Sequence, residues 1–221
     1  MQICVSVMVE APDRVLEAMN RARDMGADLL EWRLDVTHYP EMDSVLRQSP
    51  LPVIATVRSV DHGGRFSGTR EEQLRLLLQA AKSGSSYVDW EFRSGESLPE
   101  QLSSMREQVI LSYHNFQETP THTELESLFD QMAAWRTGVV KVVTLATEVE
   151  DNISLLNLIN RGRRQGKDVV AFCLGSLGRI SRVACLLVGG AFTYAALEDG
   201  AEAAPGQLTL TRMRQLLELL K

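Results

Sequence analysis

Lys141 stands in the middle of an apolar run, Gly-Val-Val-Lys-Val-Val-Thr-Leu at 138–145. A run of that composition predicts a strand covered on both faces, as in a parallel sheet flanked by helices. Lysine is almost never fully buried without a partner or a task. Removal from water penalises an ammonium ion, and an amine that is uncharged part of the time is a nucleophile suited to forming a Schiff base with a ketone or aldehyde. A structural lysine would instead snorkel past the sheet edge or pair with a carboxylate. This run alone leaves both readings open.

Polar side chains recur with a period of two in other strand-like runs, and side chains two apart share a face. In 28–35, Leu30, Trp32 and Leu34 oppose Glu31, Arg33 and Asp35; in 52–58, Val53, Ala55 and Val57 oppose Ile54, Thr56 and Arg58. In 108–114, Val109, Leu111 and Tyr113 oppose Ile110, Ser112 and His114, and the run at 86–92 adds Asp89 and Glu91. One such face would suit a structural ion-pair ladder. Five, counting that of Lys141, would load a core with desolvation cost unless the groups bind each other and a ligand, so a site is the favoured reading. Plainer roles remain for single residues. His114 would be a core histidine bonded to a carbonyl, and Arg182, following Ser181 at a helix start, a surface cation. Arg33 would pair with Glu31, Gln207 would begin the last helix, and Ser6 would fill space. Asp89 and Glu91 read as structural acids of the floor, and His38 and His122 as solvated.

The elements that must position these groups alternate along the whole chain. Strands are predicted at 2–9, 28–35, 52–58, 86–92, 108–114, 138–145, 168–174 and about 190–195. Helices are predicted near 12–25, 41–48, 69–83, 98–106, 121–136, 149–165, 179–188 and 208–220, with Thr69 before Glu71-Glu72 as a start signal and Gly26, Gly84 and Gly138 near stops. Eight β-α units without a linker or charge block predict an α/β fold, a (β/α)8 TIM barrel as one domain over 1–221, with a doubly wound open sheet as the alternative. In a barrel the polar faces converge on the interior and its C-terminal end. No G-x-G-x-x-G follows a strand, which weakens a dinucleotide site, and no Walker-type phosphate loop occurs.

Composition narrows the class further. The 221 residues carry a formal charge of −6, which argues against a general nucleic-acid binder while leaving room for an anionic ligand in a cationic cleft. Cys4, Cys173 and Cys185 form no C-x-x-C pair and read as reduced core thiols of a cytoplasmic protein rather than zinc ligands. The start, Met-Gln-Ile-Cys-Val-Ser-Val-Met, lacks the pattern of a secretion signal, and the apolar stretch at 183–197 is interrupted and short for a membrane span.

Taken in order, Glu31-Trp-Arg33-Leu-Asp35, Thr56-Val-Arg58 with Gly63-Gly64, Ser112-Tyr-His114-Asn-Phe116 with Thr119-Pro120, Lys141, Ile180-Ser-Arg182 and Ala204-Pro205-Gly206-Gln207 resemble type I 3-dehydroquinate dehydratase across nearly the whole chain. The resemblance implies a (β/α)8 barrel, a homodimer, and dehydration of 3-dehydroquinate to 3-dehydroshikimate, the third step of the shikimate pathway, without metal or cofactor. It implies Lys141 as the Schiff-base lysine and His114 as general base and acid. Substrate contacts fall on Ser6, Glu31, Arg33, Arg58, Arg182 and Gln207, with Arg182 suited to the substrate carboxylate and the 200–206 segment suited to closing over it. Two positions depart from the family pattern: Ala203 stands where a serine often precedes the Ala-Pro-Gly-Gln run, and His62 where some members carry a carboxylate that orients the histidine. Competing readings are a Schiff-base aldolase or transaldolase, and a catalytically silent barrel that binds a small acid.

Overall fold

The computed structural model describes residues 1–37 and 41–220. Its eight strands are β1 (Gln2–Val7), β2 (Leu29–Arg33), β3 (Val53–Thr56), β4 (Tyr87–Glu91), β5 (Val109–Asn115), β6 (Val139–Leu145), β7 (Asp168–Leu174) and β8 (Phe192–Ala195). The helices that alternate with them are α1 (Val15–Asp24), α2 (Met42–Gln48), α3 (Arg70–Lys82), α4 (Glu100–Ser103), α5 (His122–Ala133), α6 (Glu150–Arg164), α7 (Arg179–Leu187) and α8 (Leu210–Leu219). All strand pairings are parallel, in the order β7-β6-β5-β4-β3-β2-β1-β8. The seam between β7 and β8 is bridged at its foot, where the Ala191 N–H donates to the Val169 carbonyl at 2.9 Å. This is a nearly closed (β/α)8 barrel, as the alternation predicts.

The chemistry of each run explains its element. β6 is rich in β-branched residues and buried along all but its last position, because helices cover its outer face and the barrel its inner one. Thr69 and Thr121 open α3 and α5 with reciprocal capping boxes to Glu72 and Glu124, which satisfy backbone donors that a helix start leaves free. The Thr209 hydroxyl caps α8, so that helix begins after Gln207 and leaves it in the preceding loop.

Several boundaries differ from expectation. β1 ends at Val7 rather than 9 and β3 at Thr56 rather than 58, since the chain leaves the ladder there to form the rim of the site. The helix expected over 98–106 is reduced to one turn, α4, followed by a 3-10 turn at Arg106–Gln108. Ser103 and Ser104 there bond back to the carbonyls of Pro99 and Gln101, and such residues compete with helix continuation. α1 is preceded by a 3-10 turn at Pro12–Arg14. His122 is exposed at the start of α5, whereas His38 lies outside the described residues.

Candidate active site

Strand register levels the polar residues across the barrel. Ser6 pairs with Glu31, Arg33 with Thr56, Thr56 with Asp89, Glu91 with Ser112, and Ser112 with Lys141. Because β-strand side chains alternate, these groups share the interior, and the ones nearest the C-terminal ends open into a cleft. The cleft encloses about 490 Å³ including its mouth. All eight residues singled out from sequence line it: Ser6, Glu31, Arg33, Arg58, His114, Lys141, Arg182 and Gln207.

Lys141 is buried, 4 % exposed. Nζ donates to Asp89 Oδ2 at 3.1 Å and to the Tyr194 hydroxyl at 2.9 Å, with Glu31 Oε1 at 3.7 Å. Glu31 is fixed in turn by the Ser6 hydroxyl at 2.8 Å and the Thr56 hydroxyl at 3.0 Å. Asp89 does more than organise the floor. It also accepts from Ser112 and pairs with Arg58 Nη2 at 2.8 Å. Burial alone would raise its pKa, but Arg58 and Lys141 outweigh that and bring it down to about 2.

Three arginines reach the cleft with different partners. Arg33 forks both Asp35 oxygens, at 2.8 and 2.7 Å, instead of pairing with Glu31. Asp35 also accepts the backbone N–H groups of Arg58 and Arg65, so it anchors the β3 rim. Arg58 meets Asp89, Glu91 and the Ser112 hydroxyl. Burial would weaken its hold on the proton, yet these carboxylates and Glu31 hold it above the ordinary arginine value.

Arg182 is the exception. It is 1 % exposed rather than a surface cation, yet no carboxylate of the described residues pairs with it. Nη2 donates to the Pro205 carbonyl at 3.3 Å, its guanidinium lies 4.6 Å from the Phe172 ring centroid, and its Nε is buried without a partner among the described residues. Burial pushes it down to about 10. An uncompensated buried guanidinium is costly unless an anion completes it.

The imidazole of His114 stacks on Phe116, with centroids 6.0 Å apart and planes 12° from parallel, and meets His62 edge-on at 6.2 Å. Its Nδ1 is buried without a partner among the described residues, as is that of His62. Burial, then the cations Arg58 and Lys141, hold His114 well below the usual histidine value, so the ring is neutral at pH 7. Phe116 rests on Gly63 so closely that an added Cβ would lie 2.4 Å from its ring. Gly206 is similarly obliged: at φ +78° it brings the β8–α8 loop to within 2.1 Å, measured from an added Cβ, of the Gly175 carbonyl. That approach seats Pro205 against Arg182 and lets Gln207 accept the Ala203 N–H at 2.7 Å. The side chain of Ala203 presents a methyl group to the cleft where a hydroxyl would donate.

Sequence reasoning did not single out Tyr194 as a site residue. β8 reads as an apolar stretch, and the available signal was that a buried tyrosine hydroxyl requires a partner. It also assigned Asp89 only to the floor, although Asp89 shares a face with Glu91 and lies near the level of the lysine.

With this geometry in place, the comparisons with known proteins are specific. The sequence model of the type I 3-dehydroquinase family matches residues 3–221. The chain is 35 % identical over 217 residues to a 3-dehydroquinate dehydratase of Desulfotalea psychrophila, covering 96 % of this chain and 95 % of that one. It is 39 % identical over 208 residues to one from Thermococcus onnurineus, covering 92 % and 93 %. Among solved structures, the 3-dehydroquinate dehydratase of Geobacillus kaustophilus superposes with a TM-score of 0.84 at 28 % identity, covering 99 % of this chain and 90 % of the other. That of Aquifex aeolicus gives 0.78 at 29 %, covering 99 % and 98 %. The (β/α)8 fold, the near-complete match to the family and the relatives at both ends of that comparison agree: this chain belongs to the type I 3-dehydroquinase family.

Proposed function

We propose that this enzyme converts 3-dehydroquinate to 3-dehydroshikimate through an imine on Lys141, with His114 moving the protons. The amine adds to the ketone carbon while the carbonyl π pair shifts to oxygen, and that oxygen then leaves as water to give an iminium. His114, neutral in the resting cleft, takes a C2 proton and the C–H pair flows into the iminium to form an enamine. The enamine expels the C1 hydroxyl, which leaves as water with the proton His114 returns. Addition of water to the product iminium releases the enone and restores Lys141. Each positioned proton transfer of this kind contributes about 10²–10⁴ in rate.

One observation carries the reading: a buried amine, an uncharged imidazole and a guanidinium lacking a carboxylate line the same cleft. Arg182 supplies the planar fork for the substrate carboxylate. Asp89 stays ionised and holds the amine in place rather than taking its proton, while Glu31 accepts a substrate hydroxyl. Arg33 and Arg58 are committed to carboxylates and contribute positive potential. Gln207 offers its amide NH2 group to substrate, its oxygen being engaged by Ala203. Ser6 works chiefly through Glu31.

The test is direct. Purified protein mixed with 3-dehydroquinate is expected to generate the conjugated enone absorbance, and Lys141→Ala to abolish it; an inactive wild type, or an active variant, sinks the assignment.

The reading extends to one barrel over 1–221 as the catalytic unit, a homodimer and a cytoplasmic setting. Val149 just before α6, Ile153 within it, and Leu177 and Ile180 near the start of α7 are exposed apolar side chains that a second copy would cover, and the three thiols are unpaired. Light scattering that returned a monomer mass at micromolar concentration would remove the dimer.

A further inference from the structure

Among the described residues, Lys141 Nζ has three oxygen neighbours, and they differ in kind. Asp89 and Glu31 are carboxylates, at 3.1 and 3.7 Å. The Tyr194 hydroxyl, at 2.9 Å, is nearer than either and carries no charge. It also approaches from a different element. Asp89 belongs to β4, Glu31 to β2 and Tyr194 to β8, so Nζ is gripped from three sides of the barrel. The Tyr194 ring is held edge-on by Phe172 and Phe192, with centroids 6.1 and 5.6 Å away, which fixes where its hydroxyl can sit.

The three neighbours respond differently when the ammonium loses a proton. A carboxylate only accepts hydrogen bonds, so it favours an N–H and repels a lone pair. A phenol accepts from an N–H or donates to a lone pair. Burial and the nearby Glu31 hold Tyr194 well above the usual tyrosine value, so its hydroxyl keeps its proton throughout the working range. Tyr194 and Glu31 line the cleft beside Lys141. With Asp89 and the uncharged Tyr194 hydroxyl each accepting one N–H, the lone pair of the neutral amine is left for the third direction, toward the cleft that Lys141 lines.

We propose that Tyr194 is a positioning residue for Lys141, whose hydroxyl accepts one N–H of the ammonium at rest and keeps that N–H once the surplus proton has passed to His114 on its way to the departing ketone oxygen, so that the nitrogen lone pair is left free for the substrate ketone. The inference rests on the Schiff-base reading and deepens it. Without the hydroxyl the amine stays tethered to Asp89 and Glu31, and the lone pair has no preferred direction into the cleft. Arg182 meets Tyr194 only through Phe172, which packs edge-on against the Tyr194 ring and lies under the guanidinium, so Tyr194→Phe, which keeps the ring, is expected to leave carboxylate binding in place.

The test separates imine formation from binding. Wild type, Tyr194→Phe and Tyr194→Met are mixed with excess 3-dehydroquinate, quenched with borohydride over a time course, and the reduced adduct is followed by intact mass. Affinity is measured with the alcohol analogue in which the ketone is reduced, which cannot form an imine. Adduct formation is expected to slow about five- to tenfold in both variants, the effect of one lost hydrogen bond, with analogue affinity unchanged. Thermal melting reports whether each variant folds. Adduct formation at the wild-type rate in Tyr194→Phe overturns the proposal while leaving the Schiff base standing. So does a loss of analogue affinity in step with the rate, or a defect confined to the Met variant, which would mean that the ring rather than the hydroxyl matters. No adduct in the wild type removes the Schiff base and this inference together.

Discussion

The two walls of the cleft solve the problem of buried charge in opposite ways. Along β2 to β5, every charged group has a countercharge: Arg33 with Asp35, and Arg58 with Asp89 and Glu91. Lys141 leans across from β6 into this wall and is neutralised by Asp89 and Glu31. From β6 onward the wall is Val143, Phe172, Leu174 and Tyr194, and among the described residues its one cation, Arg182, has only a carbonyl and an aromatic face. A charge left incomplete on the apolar wall defines where an anion belongs, while the completed network opposite fixes geometry. The number of arginines alone would suggest three anion contacts; their partners point to one.

Substitutions can break this contrast. Asp89→Asn should have the largest effect, because it leaves Arg58 and Lys141 under-compensated in the interior; a loss of about 3–5 kcal/mol in unfolding free energy is expected from denaturant titration. Asp89 is held down to about 2, below the ordinary aspartate value of 3.8, so its stabilisation is present above pH 3.8 and is lost as pH falls toward 2. Arg182→Met should behave in the opposite way. Stability is expected to hold or rise, since an unpaired buried cation is removed, whereas KM should rise about 10- to 100-fold with the lost charge-assisted hydrogen bonds. If the Arg182 variant were destabilised like the Asp89 variant with KM intact, the two walls would not differ in how they hold charge.

The smallest effect concerns His114. Its value is held well below 6.5 by burial, then by Arg58, Lys141, His62 and Arg33, so its neutral form persists as pH falls through 6.5. The acid limb of kcat/KM should therefore lie below pH 6.5. His62→Glu places a carboxylate beside the imidazole and favours its protonated form, moving that limb to higher pH by about one unit. An unmoved limb would show that another group sets it.

Much of this was legible in the sequence, for identifiable reasons. Alternation of apolar strands with capped helices specified the barrel, and period-two faces brought Glu31, Arg33, Arg58, His114 and Lys141 to one interior. Pairing was harder to read. Arg33 has carboxylates two residues away on both sides along its strand, Glu31 and Asp35, and spacing cannot choose between them. Arg58 lies past the end of β3, where alternation no longer governs direction. The burial of Arg182 depends on the close approach of Gly206 to Gly175, a contact between loops that no local pattern encodes. Tyr194 was hidden because it sits in a short, mostly apolar strand, and its partner lies 53 residues away on β6.

The central claim is that the Lys141 nitrogen bonds to the substrate. Borohydride added during turnover with 3-dehydroquinate, followed by proteolysis and mass spectrometry, tests it most directly. The expected result is a reduced adduct on the peptide containing Lys141, absent without substrate and absent in Lys141→Ala. Active enzyme that yields no adduct, or an adduct on a different lysine, would contradict it.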